Sequence, residues 1–298
     1  DGAPHVVMIR RGKPDAWWTD EPVLVFGMHR SGTSVVARML EDGGVFLGDD
    51  LEQNHESIAF LELNDHLLSR AHAAWDRPAG VLDLIEEPVL AEACAGYLRA
   101  QLDTAAFRRA FLGPRGARRT TAGCAWGFKD PRTTVTWPLW LRVFPRARAI
   151  YVRRHGVAVA ASLRQRERGI LEGRKASRFA ANAAMGRFTS VRCLSLERSF
   201  DLWRETHAIH LRHRAQRPQV PLHEVFYEDL VAQPAPTLEA LARFLRLPVD
   251  TAWLARATAR VKADRAFAFR DDPACVALAS RKDVAEALAE WRPRQRVI

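Results

Sequence analysis

Short apolar runs along the chain predict β-strands. They cover residues 22–27, 124–128 and 147–152, and a further strand is predicted over residues 222–226. The first run, Pro-Val-Leu-Val-Phe-Gly, is continuous and ends in glycine. Short continuous runs of this kind are typical of strands that are buried on both faces of a sheet.

Longer segments between these runs repeat their apolar residues at helical spacing. The predicted helices cover residues 33–41, 57–74, 88–111, 137–144, 157–166, 194–213 and 237–245. Residues 113–123, rich in Gly, Arg and Thr, predict an exposed loop. Because strands alternate with helices, we expect an α/β fold with a parallel sheet and helices on both faces. We expect one domain over residues 22–298 after a lead-in over residues 1–21, and the role of the part from about residue 249 is not predicted.

The composition favours a protein that binds anions. The chain has 45 Lys and Arg against 35 Asp and Glu, a formal net charge of +10. A basic balance suits nucleic acid, but the arginines are scattered through helical segments and form no basic tract with interleaved aromatic residues. A polyanionic cofactor or acceptor accounts for the charge equally well, and we expect no nucleic-acid partner.

Cysteines and apolar segments narrow the class further. Cys94, Cys124, Cys193 and Cys275 form no C-x-x-C pair, and no other spacing of ligand residues calls for a metal. No run approaches 18 apolar residues, and the first twenty residues lack the apolar stretch of a signal peptide. We expect a cytoplasmic protein without a membrane span or a metal. A luminal protein whose anchor has been removed is the alternative.

Residues 27–34, Gly-Met-His-Arg-Ser-Gly-Thr-Ser, join the first predicted strand to the first predicted helix. Backbone N–H groups and the helix dipole at such a turn form an anion site, and the glycines let the backbone wrap closely around a phosphate. The spacing matches the nucleotide P-loop G-x-x-x-x-G-K-S/T, except that Thr33 replaces the lysine. The loop therefore lacks the lysine on which a kinase or hydrolase depends, whereas Arg30 supplies a cation at a different position in the loop. A glycine-rich turn without a ligand is the structural alternative.

This loop resembles the 5'-phosphosulfate loop of the sulfotransferases that use 3'-phosphoadenosine 5'-phosphosulfate (PAPS). The resemblance covers roughly residues 22–248 and implies a P-loop-type sheet, PAPS as the donor co-substrate and transfer of its sulfuryl group to an acceptor hydroxyl. The loop residues to which it assigns donor binding are Arg30, Ser31, Gly32, Thr33 and Ser34. Arg30 also suits the charge that develops on the sulfate during transfer, which gives it a catalytic role.

A second anion site is predicted where the strand at 147–152 runs into the next helix. Arg154 at the strand end and Ser162, about two helical turns later, can converge on one phosphate, and arginine offers a bidentate fork. An exposed basic turn is the alternative. Arginine followed eight residues later by serine is similar to the 3'-phosphate signature of the same family. By resemblance to its tyrosylprotein branch, Arg166 and Tyr227 also bind the donor.

Lys129 ends the second predicted strand and is followed by Asp130 and Pro131. The carboxyl ends of parallel strands share one edge, where ligands bind, so Lys129 can reach the reaction centre. The Lys-Asp-Pro turn is similar to that of the tyrosylprotein sulfotransferases, and the resemblance implies that Lys129 steadies the transferring sulfate. A structural ion pair with Asp130 or another carboxylate is the alternative.

The acceptor hydroxyl needs a base, and Glu52, His55 and Glu56 are the candidates because family members often place a glutamate after the first helix. Glu56 is the preferred one, since Asn54-His55-Glu56-Ser57 resembles a segment of a bacterial sulfotransferase-like group. Alternatively, Glu56 lies in the first turn of the next helix and only complements the helix dipole. His29 we expect to be positional.

The sequence thus predicts a sulfotransferase with a carboxylate base and arginine and lysine charge stabilisation. A P-loop-fold nucleotide kinase or hydrolase, and a non-enzymatic polyanion-binding protein, are the alternatives. Sugars, lipid-linked glycans, tyrosine and small phenols or alcohols are all open as acceptors. A composition rich in Ala and Arg favours a bacterial source, and therefore a glycan or small molecule. The oligomeric state is not predicted.

Overall fold

The computed structural model of the chain describes residues 18, 21–120, 125–173, 190–261 and 266–291, with side chains omitted for residues 115–120. Its sheet has four strands, all parallel, in the order β2-β1-β3-β4. They are β1 Val23–Phe26, β2 Gly127–Lys129, β3 Arg148–Arg153 and β4 Leu222–Phe226. The predicted parallel sheet is confirmed, and its register places Val25 beside both Lys129 and Ile150.

Helices fill the connections between the strands and follow the last one. They are α1 Thr33–Asp42, α2 Ile58–Arg70, α3 Val81–Glu86, α4 Pro88–Leu102, α5 Ala105–Thr120, α6 Thr133–Val143, α7 Gly156–Leu171, α8 Leu196–Gln216, α9 Tyr227–Ala232, α10 Pro234–Leu245, α11 Thr251–Thr258, α12 Pro273–Ala279 and α13 Lys282–Trp291. Two short 3-10 helices span Arg192–Leu194 and Ala268–Asp271. Of the helices described here, none is both long and apolar enough to cross a membrane.

The core lies on both faces of the sheet, as the apolar strands predict. Leu24 and Phe26 of β1 point to one face, where they pack with residues of α2, α4, α5 and α6. Val23 and Val25 point to the other, where α1, α10 and α11 pack. Since successive strand residues face opposite sides, a sheet covered twice needs apolar residues at every position.

Two predictions between residues 88 and 123 are wrong. The single helix predicted over 88–111 is two helices: α4 ends at Leu102, and Thr104 caps α5, because its hydroxyl accepts from the Phe107 N–H at 3.1 Å. The loop predicted over 113–123 is helical as far as Thr120, although the chain kinks at Gly113, whose φ is 45°. Residues 121–123 lie outside the described part of the chain.

Helix α6 begins at Thr133, four residues before its predicted start, and continues through Pro138. Its first residues, Thr-Thr-Val-Thr-Trp-Pro, do not predict a helix, because β-branched residues and proline disfavour one. Residues 133–140 are nevertheless buried throughout. Burial under the sheet therefore outweighs local helix propensity here. Other predicted ends differ by a few residues, and α3, α9 and α11 to α13 were not predicted.

Candidate active site

A cleft of about 1460 Å³ opens at the carboxyl edge of the sheet, beyond the ends of β1, β2 and β3. Parallel α/β sheets place their ligand sites at this edge. Predicted site residues that line the cleft are Arg30, Gly32, Thr33, Ser34, Glu52, Glu56, Lys129, Arg154, Ser162, Arg166 and Tyr227. Ser31 is buried within the loop beside them. The fold thus brings together residues that are up to 197 positions apart in sequence.

The loop at 27–34 depends on its second glycine. Gly32 has φ 103°, and a Cβ added there would lie 2.4 Å from Cδ2 of Tyr227. Helix α1 begins at the next residue, and its first N–H groups have no partners within the helix. The hydroxyl of Ser31 is buried and has no hydrogen-bond partner among the described residues. These donors suit an anion seated at the start of α1.

The two predicted anion sites form one continuous surface. Nε of Arg30 donates to the Ser162 hydroxyl at 3.0 Å, and Nη1 of Arg154 donates to the Arg30 carbonyl at 3.1 Å. The Arg154 guanidinium lies over the Tyr227 ring, 4.7 Å from its centroid. Arg154 is thus held in the cleft by the loop and by Tyr227.

Lys129 lies at the centre of the cleft wall with 1% of its side chain exposed. Its ammonium donates to Glu56 Oε1 at 2.7 Å, to the Asn54 carbonyl at 3.0 Å and to the Ser34 hydroxyl at 3.3 Å. The carboxylate partner of Lys129 is therefore Glu56, whereas Asp130 bonds to Arg132. Lys129 joins the loop to the segment that carries the candidate bases.

Among the three candidate bases, Glu56 is the one in contact with Lys129. Ser57 is the N-cap of α2, so Glu56 precedes that helix and does not lie in its first turn. His55 turns away and pairs with Glu41 at 2.6 Å. Glu52 accepts from the backbone N–H and the side-chain amide of Asn54 at 2.5 and 3.2 Å.

Arg166 also faces the cleft, but within a tight set of protein contacts. Its guanidinium lies 2.7 Å from the fully buried Glu167 carboxylate and stacks over Trp75 at 4.7 Å. The ring of His29 makes an edge contact with the Trp75 ring, with 4.7 Å between the ring centroids. Trp75 was not predicted as a site residue, because nothing in its local sequence marks a loop tryptophan as part of a cleft.

Four further arginines, which the sequence motifs did not identify as site residues, line the cleft. They are Arg38, Arg132, Arg164 and Arg168. Arg132 follows the Lys-Asp-Pro turn directly, so its position in sequence carried a usable signal. Arg164 pairs at 2.6 Å with Asp272, which belongs to the C-terminal part of the chain where no motif was found.

Burial and the nearby charges shift the pKa values of His29 and Asp130. Burial lowers the pKa of His29 well below its usual value, and Arg132, Arg166, Lys129 and Arg30 lower it further. His29 is therefore uncharged at neutral pH. Burial also raises the pKa of Asp130 to about 6, opposed by Arg132 and reinforced by Glu56. The positive charges that line the cleft attract an anionic substrate.

Within the described ranges of the chain, no group of three or more His, Cys, Asp or Glu side chains could hold a metal ion. The cations that face the cleft are side chains of the protein.

The strand order, the glycine loop after β1 and the cation-lined cleft define a P-loop-type α/β protein. A family model described as Sulfotransferase family matches residues 22–251. The chain belongs to this family, and it is an enzyme that transfers sulfuryl groups. The predicted function is confirmed at that level. No curated protein matches the chain in sequence.

Three solved structures are similar to this chain, and the first of them supports the fold. The sulfotransferase domain from the curacin biosynthetic pathway is 16% identical, with 91% of this chain and 96% of that chain covered and a TM-score of 0.51. Sulfotransferase STF9 from Mycobacterium avium is 16% identical over 92% and 76% of the two chains, with a TM-score of 0.45. Retinol dehydratase in complex with androsterone and the inactive cofactor PAP is 12% identical over 92% and 80%, with a TM-score of 0.40.

Proposed function

We propose that the cleft binds PAPS with its 5'-phosphosulfate at the loop of residues 27–34 and its 3'-phosphate at Arg154 and Ser162. The continuity of the two anion sites supports this, because Arg30 contacts Ser162 and Arg154 contacts the Arg30 carbonyl. The residues also fit the group chemically. The buried Ser31 hydroxyl, the N–H groups at the start of α1 and the guanidinium of Arg154 are donors suited to phosphate and sulfate oxygens.

When bound, PAPS supplies an activated sulfuryl group whose bond to the 5'-phosphate can be broken. We assign Glu56 as the base that takes the proton of the acceptor hydroxyl. The acceptor oxygen forms a new bond to sulfur, the bond from sulfur to the 5'-phosphate oxygen breaks, and 3'-phosphoadenosine 5'-phosphate (PAP) leaves with that oxygen. Lys129 and Arg30 face the charge that develops on the sulfate and the leaving oxygen.

One observation carries this assignment: the Lys129 ammonium contacts Ser34 of the loop and Glu56 of the base segment at once. A cation in this position can stabilise charge at the donor and hold the base beside it. An acceptor hydroxyl that reaches Glu56 is then adjacent to the loop that we assign to the sulfate.

The donor assignment is tested by calorimetry of PAP binding in the presence of EDTA. We expect binding without added metal, because the donors named above belong to the protein. Arg154→Ala should weaken binding by about 1.5–3 kcal/mol through loss of a charge-assisted contact. Arg146→Ala is the matched control, since Arg146 pairs with Glu21 before the start of β3, at the opposite end of that strand. Unchanged PAP affinity in Arg154→Ala contradicts the 3'-phosphate site, and binding of Mg-ATP in place of PAP favours a nucleotide kinase.

We further propose that the acceptor is a glycan or a small alcohol or phenol. The cleft exceeds the 300–1,000 Å³ that is common for small-molecule sites, which leaves room for an acceptor beside the nucleotide. A panel of a monosaccharide, a long-chain alcohol, p-nitrophenol and a tyrosine peptide, each incubated with radiolabelled PAPS, tests this. Labelling of the peptide alone contradicts the proposal.

A further inference from the structure

Asn64 lies fully buried on α2 and uses every hydrogen-bonding position of its side chain. Its amide nitrogen donates to Asp130 Oδ2 at 2.8 Å and to the Thr133 hydroxyl at 3.1 Å. Its amide oxygen accepts from the Thr136 hydroxyl at 2.6 Å and from the Trp140 indole at 2.9 Å. Asn64 therefore ties α2 to the turn after β2 and to the first turns of α6.

Asp130, which bonds to Asn64 through Oδ2, also bonds to Arg132 through Oδ1. The fully buried Asp130 accepts, at Oδ1, from the backbone N–H of Arg132 at 3.0 Å and from its Nη1 at 3.1 Å. Nε of Arg132 bonds to Asp65 at 2.5 Å. A guanidinium that is held by two carboxylates and has little exposure has few rotamers available, so its position is fixed by the fold.

The nitrogen of Arg132 that bonds to Asp130 also faces Glu56. Nη1 of Arg132 lies 3.9 Å from Glu56 Oε2, while Lys129 contacts Oε1 at 2.7 Å. Each carboxylate oxygen of Glu56 therefore faces one cation. Both cations come from the end of β2 and the turn after it, and Asn64 fastens that turn to the helix that follows Glu56.

We infer that Arg132, fixed by Asp130 and Asn64, positions the Glu56 carboxylate for proton transfer from the acceptor. The inference rests on the proposed role of Glu56 as the base. Arg132 is a positioning residue: the contacts described for it are with Asp65, Asp130 and Glu56, and it acts on the reaction through Glu56.

The test compares Arg132→Lys with the matched control Arg142→Lys. Arg142 lies on α6 in an ion pair with Glu92, outside the cleft. Turnover is followed as transfer of radiolabelled sulfate from PAPS to p-nitrophenol, or to water where p-nitrophenol is not an acceptor. PAP affinity by calorimetry and Tm are measured on the same full-length samples.

Arg132→Lys keeps the charge but loses the planar guanidinium, whose Nε and Nη1 bond to Asp65 and Asp130 and whose Nη1 also faces Glu56. We expect kcat to fall by about 10- to 100-fold, because a small displacement of a reacting group has effects of this size, with PAP affinity within about threefold of the wild type. A merely structural role would lower Tm without separating kcat from PAP affinity. Unchanged kcat overturns the inference. So does a loss of PAP affinity that accounts for the fall in turnover, which would assign Arg132 to the donor site.

A second pair of variants separates hydrogen bonding from charge. Asp130→Asn sets two amide NH2 groups against each other at positions 64 and 130, and adding Asn64→Asp restores that hydrogen bond with the negative charge moved away from its bonds to Arg132. We expect the double variant to regain Tm while kcat remains low. Recovery of kcat together with Tm would show that the network only joins α2 to α6, and would overturn the inference.

Failure of the underlying function is recognised separately. Wild-type protein that neither binds PAP nor transfers sulfate refutes the proposed function before any variant is compared. Wild-type activity that survives Glu56→Gln refutes the base, and with it the inference. Wild-type activity that needs Glu56 but not Arg132 refutes the inference alone.

Discussion

The carboxylate of Glu56 is buried between two cations, and its removal is the most direct test of the chemistry. Glu56→Gln keeps size and polarity but cannot accept the proton. We expect kcat to fall by roughly 10²- to 10⁴-fold, measured with radiolabelled PAPS, with PAP affinity nearly intact. Glu52→Gln is the comparison within the same cleft, since Glu52 bonds to Asn54 and not to Lys129. A larger loss in Glu52→Gln than in Glu56→Gln would show that the base is assigned to the wrong residue.

Lys129 and Glu56 touch, so their substitutions should not act independently. Lys129→Ala removes charge stabilisation and is expected to lower kcat by about 10²- to 10³-fold. In Lys129→Ala combined with Glu56→Gln we expect a loss well below the product of the two single losses, since contacting groups that act together are not additive. The kcat of all four proteins gives the coupling, and strictly multiplicative losses contradict a shared role.

At the scale of single residues, the sequence predicted which cationic side chains lie at the carboxyl ends of the strands. Arg30, Lys129 and Arg154 each lie shortly after an apolar run, and the carboxyl ends of parallel strands share one edge. The contact between Lys129 and Glu56 was not predictable in the same way. It depends on how α2 is fastened to α6 through Asn64, and sequence spacing does not set that distance.

At the scale of elements, α8 carries a row of buried histidines. His207, His210 and His213 are buried, and the Tyr151 ring stacks on His210 at 3.6 Å between centroids. Burial lowers the pKa of His207 to about 3 and that of His213 to about 4, and lowers the pKa of His210 well below its usual value. Both ring nitrogens of His210 have no hydrogen-bond partner among the described residues.

These histidines should make the fold sensitive to acid. As pH falls below about 6.5, the unfolded chain takes up protons on these rings while the folded chain does not, so the free energy of unfolding decreases until the folded pKa values near 3 to 4 are reached. We expect His210→Phe to reduce the stability difference between pH 7 and pH 5 by roughly 1–2 kcal/mol. Urea unfolding at both pH values measures this, with His66→Phe as the same change at an exposed site. An unaltered difference in His210→Phe contradicts a neutral His210.

The predicted bounds of the elements agree with the structure to different degrees. The strand at Leu222–Phe226 has the predicted bounds. Helix α6 shows the opposite case. Its threonines and Pro138 favour other structures, and the free energy that overrides them comes from packing under the sheet, which a local pattern does not contain.

At the scale of the whole molecule, the described segment 266–291 completes a buried cluster that α7 and α8 begin. Phe269, Leu278, Val284 and Trp291 share a buried cluster with residues of α7 and α8. Nothing beyond about residue 249 was predicted in detail, although Val284, Leu288 and Trp291 have the spacing of an amphipathic helix. The segment also reaches the cleft through Phe269, which stacks on His155 at 4.7 Å, next to Arg154.

Trp291 is the residue through which this segment is fastened to the sheet. Its buried ring lies 5.7 Å from that of His155 and 5.8 Å from that of Phe226, and its carbonyl accepts from the Arg153 guanidinium. Trp291→Ala should therefore cost about 3–5 kcal/mol and lower Tm by roughly 5–15 °C. Glu290→Ala, an exposed change on the same helix, is the control. Because His155 and Arg153 flank Arg154, we also expect weaker PAP binding by calorimetry in Trp291→Ala. A large fall in Tm with unchanged PAP affinity would mean that the segment supports the core without ordering the 3'-phosphate site, and an unchanged Tm would contradict its packing against β3 and β4.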